Sequence, residues 1–434
     1  MNTDLATLST LDLAILIGVG LLLQGLAFAG VALYRHLLRY RALVGRLEQL
    51  QSAPPSDPQS DPDLPLPPRA PAAWSGLRAL RVDRKELEDA AGTVCSFYLS
   101  AVDGQALPPF SPGQFLTFRI PVPVEDSGPV EDSGPPKPLV RCYSLSDRPG
   151  RGHYRISVKR ALSPAPGLPP GLVSNHLHDQ VQVGAVLEAR APGGVFVLPP
   201  GPGPVVLIAG GIGITPLLSM ASTILERGDG REIHLFYGVR SEAELAFRSE
   251  LEALAARHPT FRLHLCLSAP GPDDLSRLPG ATPGRLDIGR LRLTLPLREF
   301  HFYLCGPGPM LEGLLPGLRA WGVPDHRIHS EQFGPSALRP GRVEPAAAGP
   351  TLQIQFRRSG KTAVWDGSHD SLLSLAESVG VSIDSGCRSG SCGSCQTRIE
   401  SGQTRTGKVP DFEVEPGHCL MCVSQPTSDL SLSA

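Results

Sequence analysis

The sequence predicts a multidomain protein with an N-terminal apolar helix, an all-β domain, an α/β domain and a small α+β domain. An uncharged apolar run fills residues 13–34, strand-rich segments change to alternating strands and helices near residue 204, and proline-rich linkers separate the units. The 434 residues have room for several domains that each bury a core. The net charge of −2 gives no electrostatic reason to expect nucleic acid binding.

The first element is a candidate transmembrane helix at residues 13–34, behind a short tail at residues 1–12. The run has 22 residues and no charge, and as a helix it spans about 33 Å, enough to cross a bilayer core. Arginines follow the run and aspartates precede it, so the positive-inside rule places the body of the chain in the cytoplasm. We therefore expect a single-pass protein of the cytoplasmic (inner) membrane. A cleaved signal peptide is the alternative, disfavoured because the first residues carry no Lys or Arg.

Residues 35–73 are expected to form a juxtamembrane helix and a proline-rich linker. Apolar residues recur at helical spacing from Arg35 to Gln51. The stretch from Ala53 to Ala73 contains eight prolines. Such a stretch favours extended polyproline II, and at about 3.1 Å per residue it would hold the folded body about 60 Å from the membrane.

Residues 74–200 read as an antiparallel β-barrel. Short apolar segments such as Phe97–Leu99, Phe115–Phe118 and Tyr154–Val158 alternate with turn residues, as strands of an all-β domain do. Within this domain the hexapeptide Val-Glu-Asp-Ser-Gly-Pro occurs twice in tandem, at residues 124–135. A duplicated acidic segment of this composition predicts a mobile surface loop.

Residues 201–335 read as an α/β domain with a parallel sheet. The apolar strand Val205–Ala209 precedes a helical stretch at Pro216–Arg227, and the strand His234–Tyr237 precedes another at Glu242–Arg257. Strands that alternate with helices of this length are typical of βαβ units.

A glycine turn follows the first strand of this α/β domain. Glycines let a backbone approach a pyrophosphate, and a helix that begins just after them aims N–H groups at the anion. Threonine is expected to cap that helix and proline suits its first turn. Because proline replaces the third glycine of the usual G-x-G-x-x-G pattern, this is not the common dinucleotide fingerprint. The candidate nucleotide-binding residues are Gly210, Gly211, Gly213, Thr215 and Pro216.

A second linker at residues 336–350 leads to a compact β-rich unit at residues 351–434, for which we expect a β-grasp fold with one helix. The helix is predicted at Ser371–Val379 and is ended by Gly380.

Four cysteines of this last unit have the spacing of metal ligands. Three are clustered in Cys-x₄-Cys-x₂-Cys and one is distant, which resembles plant-type [2Fe-2S] ferredoxins. Zinc sites more often use Cys-x₂-Cys pairs or histidines. Cys419 is the rival for the fourth position, but the segment that begins at Cys422 resembles the one after the last ligand of such ferredoxins. The candidate cluster ligands are Cys387, Cys392, Cys395 and Cys422.

Four motifs in the two preceding domains resemble the ferredoxin–NADP⁺ reductase superfamily. Arg-x-Tyr-Ser at 141–144 is similar to its flavin motif, and residues 171–178 follow where its flavin phosphate loop stands. Cys-Gly-Pro at 305–307 resembles the nicotinamide-side segment. Residues 329–334 close the domain as the reductase half of flavohaemoglobins does. The resemblance covers residues 74–335, and each motif alone would be weaker, since single aromatic or cysteine residues are usually core residues.

The resemblance implies roles for individual residues. Arg141 would pair with an FAD phosphate, Tyr143 and Ser144 would lie against the isoalloxazine ring, and Ser174, with Asn175 in the same loop, would hold the pyrophosphate. On the nicotinamide side the implied residues are Cys305 and Glu331 beside the hydride path, Phe333 over the second flavin face, and Gly306 and Pro307 in the cofactor-binding segment.

The order of the domains resembles phthalate dioxygenase reductase and the reductases of Rieske oxygenases that carry a C-terminal ferredoxin. That resemblance implies an NAD(P)H-dependent oxidoreductase with FAD and a [2Fe-2S] cluster that passes electrons to a partner oxygenase or other iron enzyme. FAD is expected rather than FMN because of the loop at Ser174, and NADH rather than NADPH on family habit. A membrane NADH:quinone reductase and a non-catalytic redox sensor remain alternatives, and oligomeric state stays open.

Overall fold

The computed structural model describes residues 73–122, 138–163, 169–199, 201, 203–228, 230–333, 351–406, 410 and 412–434. Among these residues no helix is long and apolar enough to span a bilayer. The predicted transmembrane helix, the juxtamembrane helix, the proline-rich linker, the duplicated acidic loop and the second linker all lie outside the described residues. The described residues belong to one compact unit.

The barrel domain is a six-stranded antiparallel sheet with strand order β4-β3-β6-β1-β2-β5. The edge strands meet at an isolated bridge between Leu145 and Ile156, which closes the sheet into the predicted barrel. Side chains that alternate inward along the strands fill its interior, with Phe97, Leu99 and Phe118 fully buried. The elements are β1 (Arg78–Leu87), β2 (Val94–Ala101), β3 (Phe115–Pro121), β4 (Pro138–Ser144), β5 (Tyr154–Lys159), α1 (Leu172–Asp179) and β6 (Val186–Ala189).

The α/β domain is a six-stranded parallel sheet with strand order β10-β9-β8-β7-β11-β12. Its central strands are apolar on both faces because helices cover both sides, as parallel sheets require. The elements are β7 (Val205–Gly210), α2 (Ile214–Arg227), β8 (Ile233–Val239), α3 (Arg248–Arg257), β9 (Phe261–Leu267), α4 (Asp274–Arg277), β10 (Thr282–Pro283), α5 (Ile288–Thr294), β11 (His301–Pro307), α6 (Gly308–Ala320) and β12 (Ile328–Phe333).

The predicted helix at Glu242–Arg257 is shorter in the structure. Glu242–Glu244 form a single 3₁₀ turn, and α3 begins only at Arg248. Phe247 separates the two because its backbone is left-handed, with φ of 61°, and a continuous helix cannot pass through that conformation. Its buried ring packs in the domain core, which explains why the strained position persists.

The C-terminal domain has a mixed five-stranded sheet with order β14-β13-β19-β15-β17 and a separate two-stranded ribbon, β16-β18. Ser371 caps its helix by accepting a hydrogen bond from Ser374 N, and Gly380, with φ of 72°, follows its end, as predicted. The elements are β13 (Leu352–Phe356), β14 (Lys361–Trp365), α7 (Leu372–Ser378), β15 (Gln396–Ser401), β16 (Thr404–Thr406), β17 (His418–Leu420), β18 (Ser424–Pro426) and β19 (Leu430–Leu432).

Candidate redox site

The Arg-x-Tyr-Ser motif lies on β4, the strand whose C-terminal end closes the barrel. Arg141 is exposed and its Nη1 donates to the carbonyl oxygen of Val140 at 2.7 Å. Tyr143 packs on the barrel core, with its ring centroid 6.0 Å from that of Phe118, and burial raises the pKa of its phenol. Ser144 is buried at the end of the strand. The strand therefore presents a guanidinium, a neutral phenol and a hydroxyl along one short segment.

The predicted phosphate loop forms the N-terminus of α1. Ser174 Oγ donates to Gly171 O at 3.2 Å, and Asn175 Nδ2 donates to Gly171 O at 2.7 Å. Ala161 N donates to the same Ser174 hydroxyl at 3.1 Å. Both side chains thus fix the helix start against the segment after β5. In this structure they shape the loop, and its backbone N–H groups are left as the natural anion donors.

The glycine turn at the end of β7 packs backbone to backbone on the Cys-Gly-Pro segment at the end of β11. A methyl carbon built on Gly213 would lie 2.1 Å from Cys305 O, and one on Gly306 would lie 3.1 Å from Gly210 Cα. A methyl on Gly210 would also meet Pro307 Cδ at 2.8 Å. These glycines are therefore required for packing. Their packing brings the N-termini of α2 and α6 together at the carboxyl ends of adjacent parallel strands, where such sheets bind ligands.

Two details of this turn differ from the sequence-based picture. Gly211 alone is open, since it has a φ of 52° and no atom within 4 Å of a methyl built on it, so it is the glycine that a pyrophosphate can approach. The prediction that Thr215 caps the helix is wrong. Thr215 is already inside α2, and its hydroxyl donates to Ile212 O at 3.0 Å. Pro216 does lie in the first turn.

The residues expected on the nicotinamide side lie on adjacent parallel strands, β11 and β12. Cys305 is paired in register with Glu331, and Pro307 with Phe333. Cys305 is fully buried, and burial together with the Glu331 carboxylate raises the pKa of its thiol well above its ordinary value. Its sulfur therefore stays a neutral thiol, suited to lining a hydride path and not to nucleophilic attack.

The clustered cysteines lie in a loop whose backbone turns inward. Cys387 Sγ accepts hydrogen bonds from the N–H groups of Ser389, Ser391 and Cys392 at 3.4, 3.3 and 3.3 Å. Left-handed backbone at Arg388 (φ 54°) produces this arrangement. Converging N–H groups of this kind stabilise a negatively charged sulfur. The donor set therefore fits thiolates that hold an iron–sulfur cluster.

The four predicted ligands fall into two pairs. The side chains of Cys387 and Cys392 interact with each other, and so do those of Cys395 and Cys422. In the described part of the chain, no three Cys, His, Asp or Glu side chains surround one point as ligands of a single ion would. Two thiolates for each of two irons is the division that a [2Fe-2S] cluster needs. Cys419 instead lies in β17 within the domain core.

The cluster loop contacts the face of β4 opposite to Tyr143. A methyl carbon built on Gly386 would lie 2.9 Å from Cys142 Sγ and 3.2 Å from Val140 Cγ1. Arg190, which follows β6, points its Nη1 at Cys392 O at 3.5 Å. Sequence reasoning did not find these contacts. The middle residue of the Arg-x-Tyr-Ser motif could have signalled the first, because strand alternation turns it away from its neighbours.

Family models match two of the domains. Residues 207–315 match the oxidoreductase NAD-binding domain, and residues 356–427 match the 2Fe-2S iron-sulfur cluster binding domain. The second match contains all four predicted cluster ligands. The chain has the domain set of the ferredoxin–NADP⁺ reductase superfamily with a C-terminal ferredoxin. The expected cofactors of this set are FAD, NAD(H) and a [2Fe-2S] cluster, and we use the names FAD domain, NAD domain and ferredoxin domain below.

Solved structures and curated relatives agree with this assignment. The flavohaemoglobin-like FAD/NAD-binding domain of nitric oxide dioxygenase from Vibrio cholerae is 32% identical, with a TM-score of 0.51, and is matched over 99% of its length and 59% of this chain. Phthalate dioxygenase reductase, described as a modular structure for electron transfer from pyridine nucleotides to [2Fe-2S], is 27% identical with a TM-score of 0.50. There the match covers 83% of this chain and 98% of that one.

Among curated proteins, the flavohemoprotein of Halalkalibacterium halodurans is 38% identical over 269 residues. The match covers 62% of this chain and 62% of the flavohemoprotein, so the chain spans less than two thirds of that relative. The flavohemoprotein's similarity therefore bears on the part that the two chains share.

Proposed function

We propose that the protein is a membrane-anchored reductase that carries electrons from NAD(P)H through FAD and a [2Fe-2S] cluster to a partner oxygenase or other iron enzyme. The observation that carries this proposal is the position of β4. One face of this strand bears Tyr143 of the flavin motif, and the other contacts the cluster loop through Val140 and Cys142. With the flavin at Tyr143 and the cluster at Cys392, the two sites would be neighbours separated by a single strand.

Different residues of the chain would bind the dinucleotide and orient its nicotinamide. The open Gly211 and the N-termini of α2 and α6 would bind the dinucleotide phosphates. Cys305 and Phe333 would orient the nicotinamide, and the neutral Cys305 thiol keeps charge away from the transferred hydride. When bound, FAD accepts a two-electron hydride and supplies electrons singly to the cluster. Overall, one NAD(P)H and two oxidised acceptors give NAD(P)⁺, one proton and two reduced acceptors.

We propose NADH as the electron donor, on the resemblance to the reductase family. Arg240, at the carboxyl end of β8 and largely exposed, is 3.6 Å from Glu244 and is the candidate for reading a 2′-phosphate. A protein acceptor is proposed because the relative with the same domain order, phthalate dioxygenase reductase, is named for a dioxygenase. The anchor at residues 13–34 would hold the reductase at the cytoplasmic membrane near its acceptor.

Stopped-flow mixing of the purified full-length protein with NADH tests the reductase. We expect the flavin absorbance at about 450 nm to bleach first. Reduction of the cluster, detected by EPR, should follow. An absence of bleaching would leave the redox-sensor alternative. Reduction of quinone by the protein alone would favour the quinone reductase. Purification from membranes, compared with a variant that lacks residues 1–72, tests the anchor and identifies what co-purifies.

A further inference from the structure

Gly386 stands where a side chain has no room. A methyl carbon built there would be 2.9 Å from Cys142 Sγ and 3.2 Å from Cys392 Sγ, and real Cβ contacts shorter than about 3 Å force neighbouring atoms to move. Gly386 is not among the described glycines with positive φ, so its backbone does not require glycine. Lack of space, part of it set by a residue of another domain, explains the glycine.

The space is filled by sulfur. The sulfur atoms of Cys142 and Cys392 both border the position that a Gly386 methyl would take, so the two thiols are neighbours across the domain junction. The Sγ of Cys142 is also 3.4 Å from the hydroxyl of Thr117, on the neighbouring strand β3. Thr117 is buried, so the thiol of Cys142 is held between a fixed hydroxyl and the predicted cluster ligand. A hydrogen bond to a ligating sulfur is one of the levers that sets the reduction potential of a cluster.

We propose that Cys142 is a positioning residue for electron transfer: its thiol donates a hydrogen bond to the Cys392 sulfur, and Gly386 leaves room for that contact. The inference rests on the proposed function, because it assumes a cluster at Cys392. Cys142 makes and breaks no bond and does not change oxidation state. One electron at a time passes from the flavin site to the cluster, and both electrons of each hydride are accounted for in that way.

The first test measures the cluster's midpoint potential and EPR spectrum in full-length protein. Cys142→Ala removes the donor, so we expect a lower potential, because the more negative reduced cluster loses a stabilising hydrogen bond. Cys142→Ser keeps a donor and is expected to lie closer to the parent. Cys266→Ala is the matched control, since that buried thiol is 3.5 Å from the Thr282 hydroxyl and remote from the cluster. Equal potentials and spectra in all four proteins would overturn the hydrogen bond.

The second test uses steric rescue. Gly386→Ala is expected to slow flavin-to-cluster electron transfer several-fold in single-turnover stopped flow, because the added methyl pushes the loop away from β4. In the Cys142→Ala background the same substitution should have a clearly smaller effect, since the nearest obstructing atom is gone and the remaining contacts, to Cys392 Sγ and Val140 Cγ1, are at 3.2 Å. A defect of the same size in the double variant would show that the methyl does not act through Cys142, and would overturn the role of Gly386. Gly313→Ala, with no atom within 4 Å of the new methyl, is the control.

The proposed function and the role of Cys142 can be refuted separately. A parent protein without the visible and EPR signals of a cluster would refute the proposed function. A parent with a cluster that accepts electrons, together with variants that change neither the potential nor the transfer rate, would refute only the role of Cys142.

Discussion

The two junctions between domains are built in different ways. The FAD and NAD domains share a hydrophobic core, in which Phe196 and Leu198 of the barrel pack with the parallel strands. The ferredoxin domain keeps its own core, composed wholly of its own residues. Among the described residues, it meets the FAD domain where Gly386 packs on Cys142 and Val140, and where Arg190 Nη1 lies 3.5 Å from Cys392 O.

Polar contacts follow the same division. Between the FAD and NAD domains, the buried Arg155 forms an ion pair with the partly exposed Glu250 at 2.8 Å, and Lys159 pairs with Glu244 at 3.0 Å. Ser219 Oγ also donates to the backbone oxygen of Asp147 at 2.7 Å. Each of these contacts would be lost if the domains separated, so the junction is strongly specified.

The difference follows from what each transfer needs. Hydride transfer requires two rings to be held in contact and aligned, and small displacements are costly. Electron transfer to a cluster needs proximity but no bond geometry. A rigid junction therefore serves the first step, and a small one is sufficient for the second. It would also let the ferredoxin domain expose its cluster to a partner.

Removal of a cluster ligand should have the largest effect, because it should stop electron transfer to the ferredoxin domain and leave hydride transfer at the FAD–NAD junction intact. Cys422→Ala is expected to abolish the cluster signal, because Cys422 is the partner of Cys395 in the second sulfur pair. The rate of flavin reduction by NADH should stay within about twofold of the parent rate, because Cys422 takes no part in hydride transfer. Visible and EPR spectra with stopped flow provide the measurements.

Cys419→Ala is the matched control, since that buried thiol belongs to the domain core. It should keep the cluster and lose about 1 kcal/mol of stability as a small core deletion. The opposite result, with the cluster lost in the Cys419 variant and kept in the Cys422 variant, would reassign the fourth ligand.

Most of the architecture could be predicted from the sequence, because the spacing of apolar residues and the residues that begin and end elements are local features. The strands at Phe97–Leu99 and Val205–Ala209 and the helix capped by Ser371 lie where apolar spacing and a capping residue put them. The predicted helix from Glu242 failed at Phe247. Its left-handed backbone is imposed by tertiary packing, which local propensity does not contain.

Some contacts of the candidate site residues could likewise be predicted, and others could not. The family resemblance implied that Cys305 and Glu331 lie close together, and the structure pairs them on adjacent parallel strands. Motif spacing could not show that Gly213 is needed to pack on Cys305, nor that Cys142 reaches the cluster loop. Those contacts join residues far apart in the chain, and one sequence carries no record of such pairs.

Weakening the rigid junction should cost stability. Arg155→Met keeps most of the side-chain volume but leaves the carboxylate of Glu250 without its partner. Because the Arg155 side chain is only 5% exposed and that of Glu250 is 31% exposed, we expect a loss of about 3 kcal/mol in the free energy of unfolding. Urea unfolding with hydrogen exchange measures it, and exchange in the ferredoxin domain should not change.

Arg81→Met is the control for that experiment. Its ion pair with Asp83 lies on the surface, with both side chains well exposed, and should change stability by less than about 0.5 kcal/mol. A similar small loss for Arg155→Met would mean that the shared core alone holds the FAD and NAD domains together.

Acid should lower the stability of the NAD domain through a buried histidine, and this effect is the smallest of those predicted. His234 is buried in the NAD domain, bonded to Glu232 and to His264, and desolvation lowers its pKa to about 4. The unfolded chain, with a histidine pKa near 6.5, takes up the proton first as pH falls. Stability contributed by neutral His234 is therefore present above about pH 6.5 and is lost progressively down to about pH 4.

Between pH 7 and pH 5 we expect His234 to account for about 2 kcal/mol of lost stability in the NAD domain. His234→Gln should flatten this pH dependence relative to the parent, whereas His326→Gln, at an exposed position, should leave it unchanged. Urea unfolding at a series of pH values measures the difference. An unchanged slope in His234→Gln would show that the histidine pair is solvated and that acid does not destabilise the NAD domain in this way.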